Sequence, residues 1–124
     1  MSPLNLFRGS AFLGKIYLRR DIYQDFQNPN PKPITISLLE HEITHIKRSS
    51  SYGNIKYPLN YWCSNTFRLN EELAAIKAEM KVRKIHGEKF EIEKRAKYLS
   101  SYYYLWCIKF NTAKKELTKI WNSI

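Results

Sequence analysis

Ser37–Arg48, SLLEHEITHIKR, decides how the rest of the chain is read. Within it His41-Glu42-Ile43-Thr44-His45 has the form HExxH. On an α-helix of about 3.6 residues per turn, His41 and His45 stand one turn apart on one face. Two neutral imidazoles at that spacing can hold one Zn2+. Glu42 lies about 100° round the axis from His41, off the ligand line. There it is placed to take a proton from a water that the metal activates.

The flanking residues support the helix. Ile36, Leu39, Ile43 and Ile46 form one apolar stripe; Leu38, His41 and His45 form a second beside it, with Glu42 between them. Glu40, Thr44, Lys47 and Arg48 fill the side left for water. Thr35 or Ser37 is expected to cap the start after Pro33, and Lys47-Arg48 suits the C-terminal end of the helix dipole. The metal face therefore borders the buried face, as the floor of a cleft should.

Ahead of this helix, Gln27–Pro33, QNPNPKP, has three prolines in seven residues and reads as an extended or turning connection. Asp21–Phe26 fits a short helix or a strand end. Ala11–Arg20, AFLGKIYLRR, is β-like through Phe12, Ile16 and Leu18, and Gly14 marks a bulge or a close backbone approach. Met1–Ser10 reads as a poorly ordered arm.

Beyond the helix, Ser49–Tyr61 contains SSSYGN and YP and reads as a loop over the cleft, with Tyr61-Trp62, Phe67 and Leu69 as apolar anchors behind it. A second long helix is expected from Asn70 as N-cap, with Glu71 and Glu72 in its electropositive first turn, to Gly87 as stop. Leu73, Ile76, Met80 and the stem of Lys84 form its stripe, and Ala74, Ala75 and Ala78 allow close packing. Glu88–Ser101 reads as a charged third helix. Tyr102–Ile108, YYYLWCI, is read as a helical extension into the core rather than a strand, because the chain offers no obvious partner strand. Asn111 is expected to cap a last helix that docks through Leu117, Ile120, Trp121 and Ile124. The fold class is thus α+β and mostly helical, with a small N-terminal β element.

At 124 residues the chain makes one domain, 1–124, and its 44% hydrophobic content is that of a globular protein. Arg8 and Lys15 interrupt the first twenty residues, so no secretory leader is expected, and no apolar run approaches the roughly 18 residues of a membrane span. Cys63 and Cys107 stand apart from any CxxC; they could pair, and read by default as two reduced, mostly buried thiols in a cytoplasmic protein. The net charge of +10 fits nucleic acid, an anionic membrane surface or acidic substrates. The 21 basic residues form no dense block, which favours the solvated face of a Lys-rich protein over a nucleic-acid partner.

A catalytic zinc site needs three protein ligands. The metzincin continuation HExxHxxGxxH is absent, since Arg48 and Ser51 stand at its Gly and His. Asn70-Glu71-Glu72-Leu73-Ala74, NEELA, instead resembles the NExxA or ExxA signature that follows HExxH in gluzincins. Across about residues 11–80 the two motifs together resemble the minigluzincins, small single-domain metallopeptidases. The resemblance implies a β element packed on an active-site helix and a glutamate helix. It implies His41, His45 and Glu71 as ligands of Zn2+, Glu42 as general base, and a peptide or protein as substrate. Glu71 is preferred because Asn70 and Ala74 complete the motif; Glu72 with Ala75 keeps ExxA but loses the Asn. Gly14–Leu18 resembles the rim strand that holds an extended peptide. Thermolysin-like members carry an Asp four residues after the glutamate ligand, where this chain has Ala75, so support for a histidine must come from elsewhere. The oxyanion-stabilising His or Tyr has no clear counterpart: His86 lies 15 residues past Glu71, while Tyr52, Tyr57 and Tyr61 are candidates by location. Two further readings follow: a latent or non-catalytic zinc protein of the same fold, and a basic nucleic-acid-binding domain without metal.

Overall fold

A β-hairpin followed by six helices makes up the computed structural model, which describes residues 9–12, 15–53, 55–101, 104 and 108–124. Strands β1 (Gly9–Phe12) and β2 (Lys15–Leu18) pair antiparallel, with Gly9 opposite Leu18 and Phe12 opposite Lys15. The β element thus begins before Ala11 and takes in Gly9 and Ser10, which the sequence assigned to an arm. Gly14 lies outside the described residues.

Helix α1 (Arg20–Phe26) settles the open reading of 21–26 as helical. Its Asp25 carboxylate reaches across the proline-rich connection, accepting from the Thr35 hydroxyl at 2.5 Å and the Lys32 N–H at 2.9 Å. Thr35 is therefore a tether and not a cap. Helix α2 (Pro33–Tyr52) has Lys32 at its N-cap and Pro33 at its first position, where a missing N–H costs nothing.

The expected loop over 49–61 is largely helix. α2 runs on to Tyr52, and α3 (Lys56–Cys63) follows after Gly53, whose φ of 120° suits a residue without a Cβ. Pro58 does not break α3, because it falls in the first turn, where backbone N–H groups have no intrahelical partner. Helix α4 (Asn65–Ile85) starts five residues before Asn70. Its cap is Ser64, whose side chain accepts from the Phe67 N–H at 3.2 Å. Glu71 and Glu72 consequently sit in the body of the helix and not in its first turn.

Helix α5 spans Ile92–Leu99, shorter than the expected Glu88–Ser101. Helix α6 (Phe110–Ser123) encloses Asn111 instead of being capped by it. Most of Tyr102–Ile108 lies outside the described residues. The apolar core is built at the C-terminal half of α4: Ile76, Met80, Ala96, Leu99, Ala113 and Leu117 are fully buried together. Leu73, Ile120, Trp121 and Ile124 pack against them as expected. The other flank of α4 is covered by α2, which in turn carries the hairpin. Side chains pair 41 with 79 and 48 with 71, so α2 and α4 run antiparallel.

Leu117→Ala should lower the unfolding free energy by about 2–5 kcal/mol, the range for a large-to-small change in a closed core. Replacing the exposed neighbour Lys119 by Ala should change it by less than about 0.5 kcal/mol. Urea unfolding compares the two, and equal losses would contradict this placement of α6.

Candidate metal centre

The buried face of α4 is mixed in character. Arg68, Glu71, Glu72, Ala75, Ile76, Glu79 and Met80 recur at three- and four-residue intervals and are all closed to solvent. On α2 the buried residues include Leu38, His41 and Glu42, with His45 partly buried below them. The stripe Ile36, Leu39, Ile43 and Ile46 is only half-buried, so the motif face and not the aliphatic stripe is the more enclosed side of this helix.

Between the two helices three acceptor groups converge. His41 Nε2 and His45 Nε2 are 3.2 Å apart; Glu72 Oε1 lies 3.3 Å from His45 Nε2, and Glu72 Oε2 lies 3.5 Å from His41 Nε2. Ligand bonds of about 2.0–2.1 Å at tetrahedral angles set donor atoms about 3.3 Å apart, so this triangle has the dimensions of a zinc shell. Its chemistry fits as well. His41 Nδ1 lies 2.9 Å from Glu79 Oε1, and a neutral ring that donates there presents Nε2 as a bare lone pair. Tyr61 donates to Glu72 Oε1 at 2.5 Å, while Glu72 Oε2, though buried, has no hydrogen-bond partner. An orphaned buried carboxylate oxygen beside two imidazole nitrogens is an arrangement that a cation completes.

The structure brings Glu72, the runner-up of the two adjacent glutamates, to the histidines and turns Glu71 elsewhere. Glu71 does not face the histidines; both its oxygens are taken by Arg48, at 2.6 and 2.8 Å. About 100° separates neighbouring residues on a helix, so only one of the pair can reach the histidines, and that one is Glu72.

The supports around the triangle come from three helices. Glu79, two turns beyond Glu72, is held by two bonds from Arg95 of α5, at 2.8 and 2.7 Å. This is the histidine support that position 75 lacks. Tyr57 of α3 places its hydroxyl 3.2 Å from His45 Nδ1. The end of α3 is in turn fixed by buried Arg68, which donates to the carbonyls of Tyr61 and Trp62 and to the side chain of Asn65. Tyr57 and Tyr61 thus contact His45 and Glu72, while His86 bonds back to its own helix at Val82 O.

Charge follows this arrangement. Burial opposes protonation of His41, but Glu72 and Glu79 outweigh it and raise the imidazole to about 10. Burial also works against the charged carboxylates, yet His45 and His41 hold Glu72 well below its usual range, and Arg95 with His41 lowers Glu79 to about 2. Glu42 differs: burial pushes its carboxyl up, only partly offset by the histidines. No family model, curated protein or solved structure matches the chain.

Glu72→Ala should abolish stoichiometric zinc binding, and Glu71→Ala should leave it in place. Glu79→Ala should weaken zinc about 10–100-fold, the scale for loss of a carboxylate that orients a ligand histidine. Competition with a chelating dye measures all three, and a larger loss for Glu71 than for Glu72 would reverse the assignment.

Proposed function

We infer that the chain is a zinc-dependent peptidase of gluzincin type. The observation that supports this most is the buried triangle of His41 Nε2, His45 Nε2 and the Glu72 carboxylate, with the HExxH glutamate enclosed beside it. His41, His45 and Glu72 would hold Zn2+, which when bound would supply Lewis acidity toward a peptide carbonyl and a water molecule. Glu79 and Tyr57 keep the two imidazoles turned with Nε2 inward. Glu42 takes the proton of the attacking water and passes it to the departing amine. Its carboxyl is raised by burial, the direction that helps one group both accept and return a proton. A peptide or protein is the proposed substrate.

One observation favours a second reading, a zinc protein of the same build without turnover. The hydroxyls of Tyr57 and Tyr61 are both engaged with ligand residues, and neither is left over to stabilise a developing oxyanion.

Glu42→Gln separates the readings. It keeps the size of the side chain and removes its basicity, so zinc content and folding should match wild type while peptide hydrolysis falls by at least about two orders of magnitude. Unchanged hydrolysis in the variant would contradict the role of Glu42. A zinc-loaded wild type inert toward a broad peptide library would favour the non-catalytic reading.

A further inference from the structure

Helix α3 presents two faces of different kinds. Its inner face carries Tyr57 and Tyr61 to the metal centre. A solvated helix normally turns charge and amide groups outward, but the outer face of α3 is apolar. Ile55, Leu59 and Trp62 fall at intervals of four and three residues and are 76%, 59% and 63% exposed. Tyr52, at the end of α2, is exposed just before them, and exposed Cys63 adjoins Trp62. Lys56 is the one charged residue within α3.

The surrounding charge limits what can cover this face. From residue 43 to 70 the sequence has no Asp or Glu; Lys47 and Lys56 are exposed there, while Arg48 is paired with Glu71 and Arg68 is buried. The whole chain carries +10. Like charge of that size opposes a second copy of the chain on the same face. Nucleic acid would be met by exposed basic side chains and not by Ile, Leu and Trp. An anionic lipid surface satisfies both features: apolar side chains enter the headgroup boundary, Trp is well suited to that depth, and the net positive charge is attracted to the lipid. No described helix is long and apolar enough to cross a membrane, so attachment would be peripheral.

We propose that the outer face of α3, formed by Ile55, Leu59 and Trp62 beside Lys56, docks the protein on anionic membrane surfaces. The docking does not depend on the metal site. It holds whether or not the site binds zinc.

The test is co-sedimentation of the full chain with vesicles of phosphatidylcholine containing about a third phosphatidylglycerol, against phosphatidylcholine alone. Binding should be seen with the anionic vesicles and should weaken in high salt. Leu59→Glu should lower it by about tenfold or more, since it removes buried apolar area and adds a repelled charge. Acyl-chain-brominated lipids should quench tryptophan fluorescence in wild type. Trp62→Phe, which keeps the face apolar and the fold undisturbed, should retain binding but lose most of that quenching. Absence of binding to anionic vesicles would overturn the proposal, as would equal quenching in wild type and Trp62→Phe. Concentration-dependent dimerisation abolished by Leu59→Glu, in a protein that ignores vesicles, would assign the face to a second copy instead.

Discussion

Two imidazoles and a carboxylate packed into one enclosed space between α2 and α4 are the constraint on which the arrangement depends. His41 Nε2, His45 Nε2 and the Glu72 carboxylate lie within 3.5 Å of their neighbours in the triangle. Burying ionisable groups is costly unless each is paired. The helices around the triangle are placed accordingly. Arg95 of α5 neutralises Glu79 so that Glu79 can face His41, and α3 lays two phenols across the remaining sides. The C-terminal helices are therefore more than a scaffold for the core. Through Arg95 and Glu79 they reach His41.

The two ends of α4 carry different physics. Its C-terminal half closes an apolar core with α5 and α6, where Ile76, Met80, Leu99 and Leu117 exclude water. Its N-terminal half is held by charge: Arg68 to backbone carbonyls of α3, and Glu71 to Arg48 of α2. Glu72 lies where these meet, one turn from Arg68 and one turn from Ile76. A carboxylate in that position is fixed by packing on one side and by hydrogen bonds on the other, which limits its freedom.

The parts of the fold that were legible in the sequence are those with a strong local period. The HExxH helix, the long glutamate-bearing helix with Ile76 and Met80 inward, and the docking residues Leu117, Ile120, Trp121 and Ile124 all follow from three- and four-residue spacing. Helix α3 was hidden because Gly53 and Pro58 are turn residues in most settings; here one ends α2 and the other sits in a first turn that needs no N–H donor. Between the adjacent glutamates the motif favours Glu71, because Asn70 and Ala74 complete it, and leaves Glu72 as runner-up. Asn70 gave a plausible cap, and the true cap at Ser64 shifts both glutamates into the helix body. Once there, the need of Arg48 for a carboxylate decides between them, a requirement that spans 23 residues and has no local signature. Glu79 lies outside the motif spacing, which places a support four residues past the glutamate ligand; two full turns past Glu72 it returns to the same face.

X-ray absorption at the zinc edge of the loaded protein tests the central claim most directly. The account predicts one zinc per chain in a four-coordinate shell with two imidazole nitrogens and oxygen donors, at about 2.0–2.2 Å. Failure to take up stoichiometric zinc, or a shell without the scattering of two imidazole rings, would contradict it.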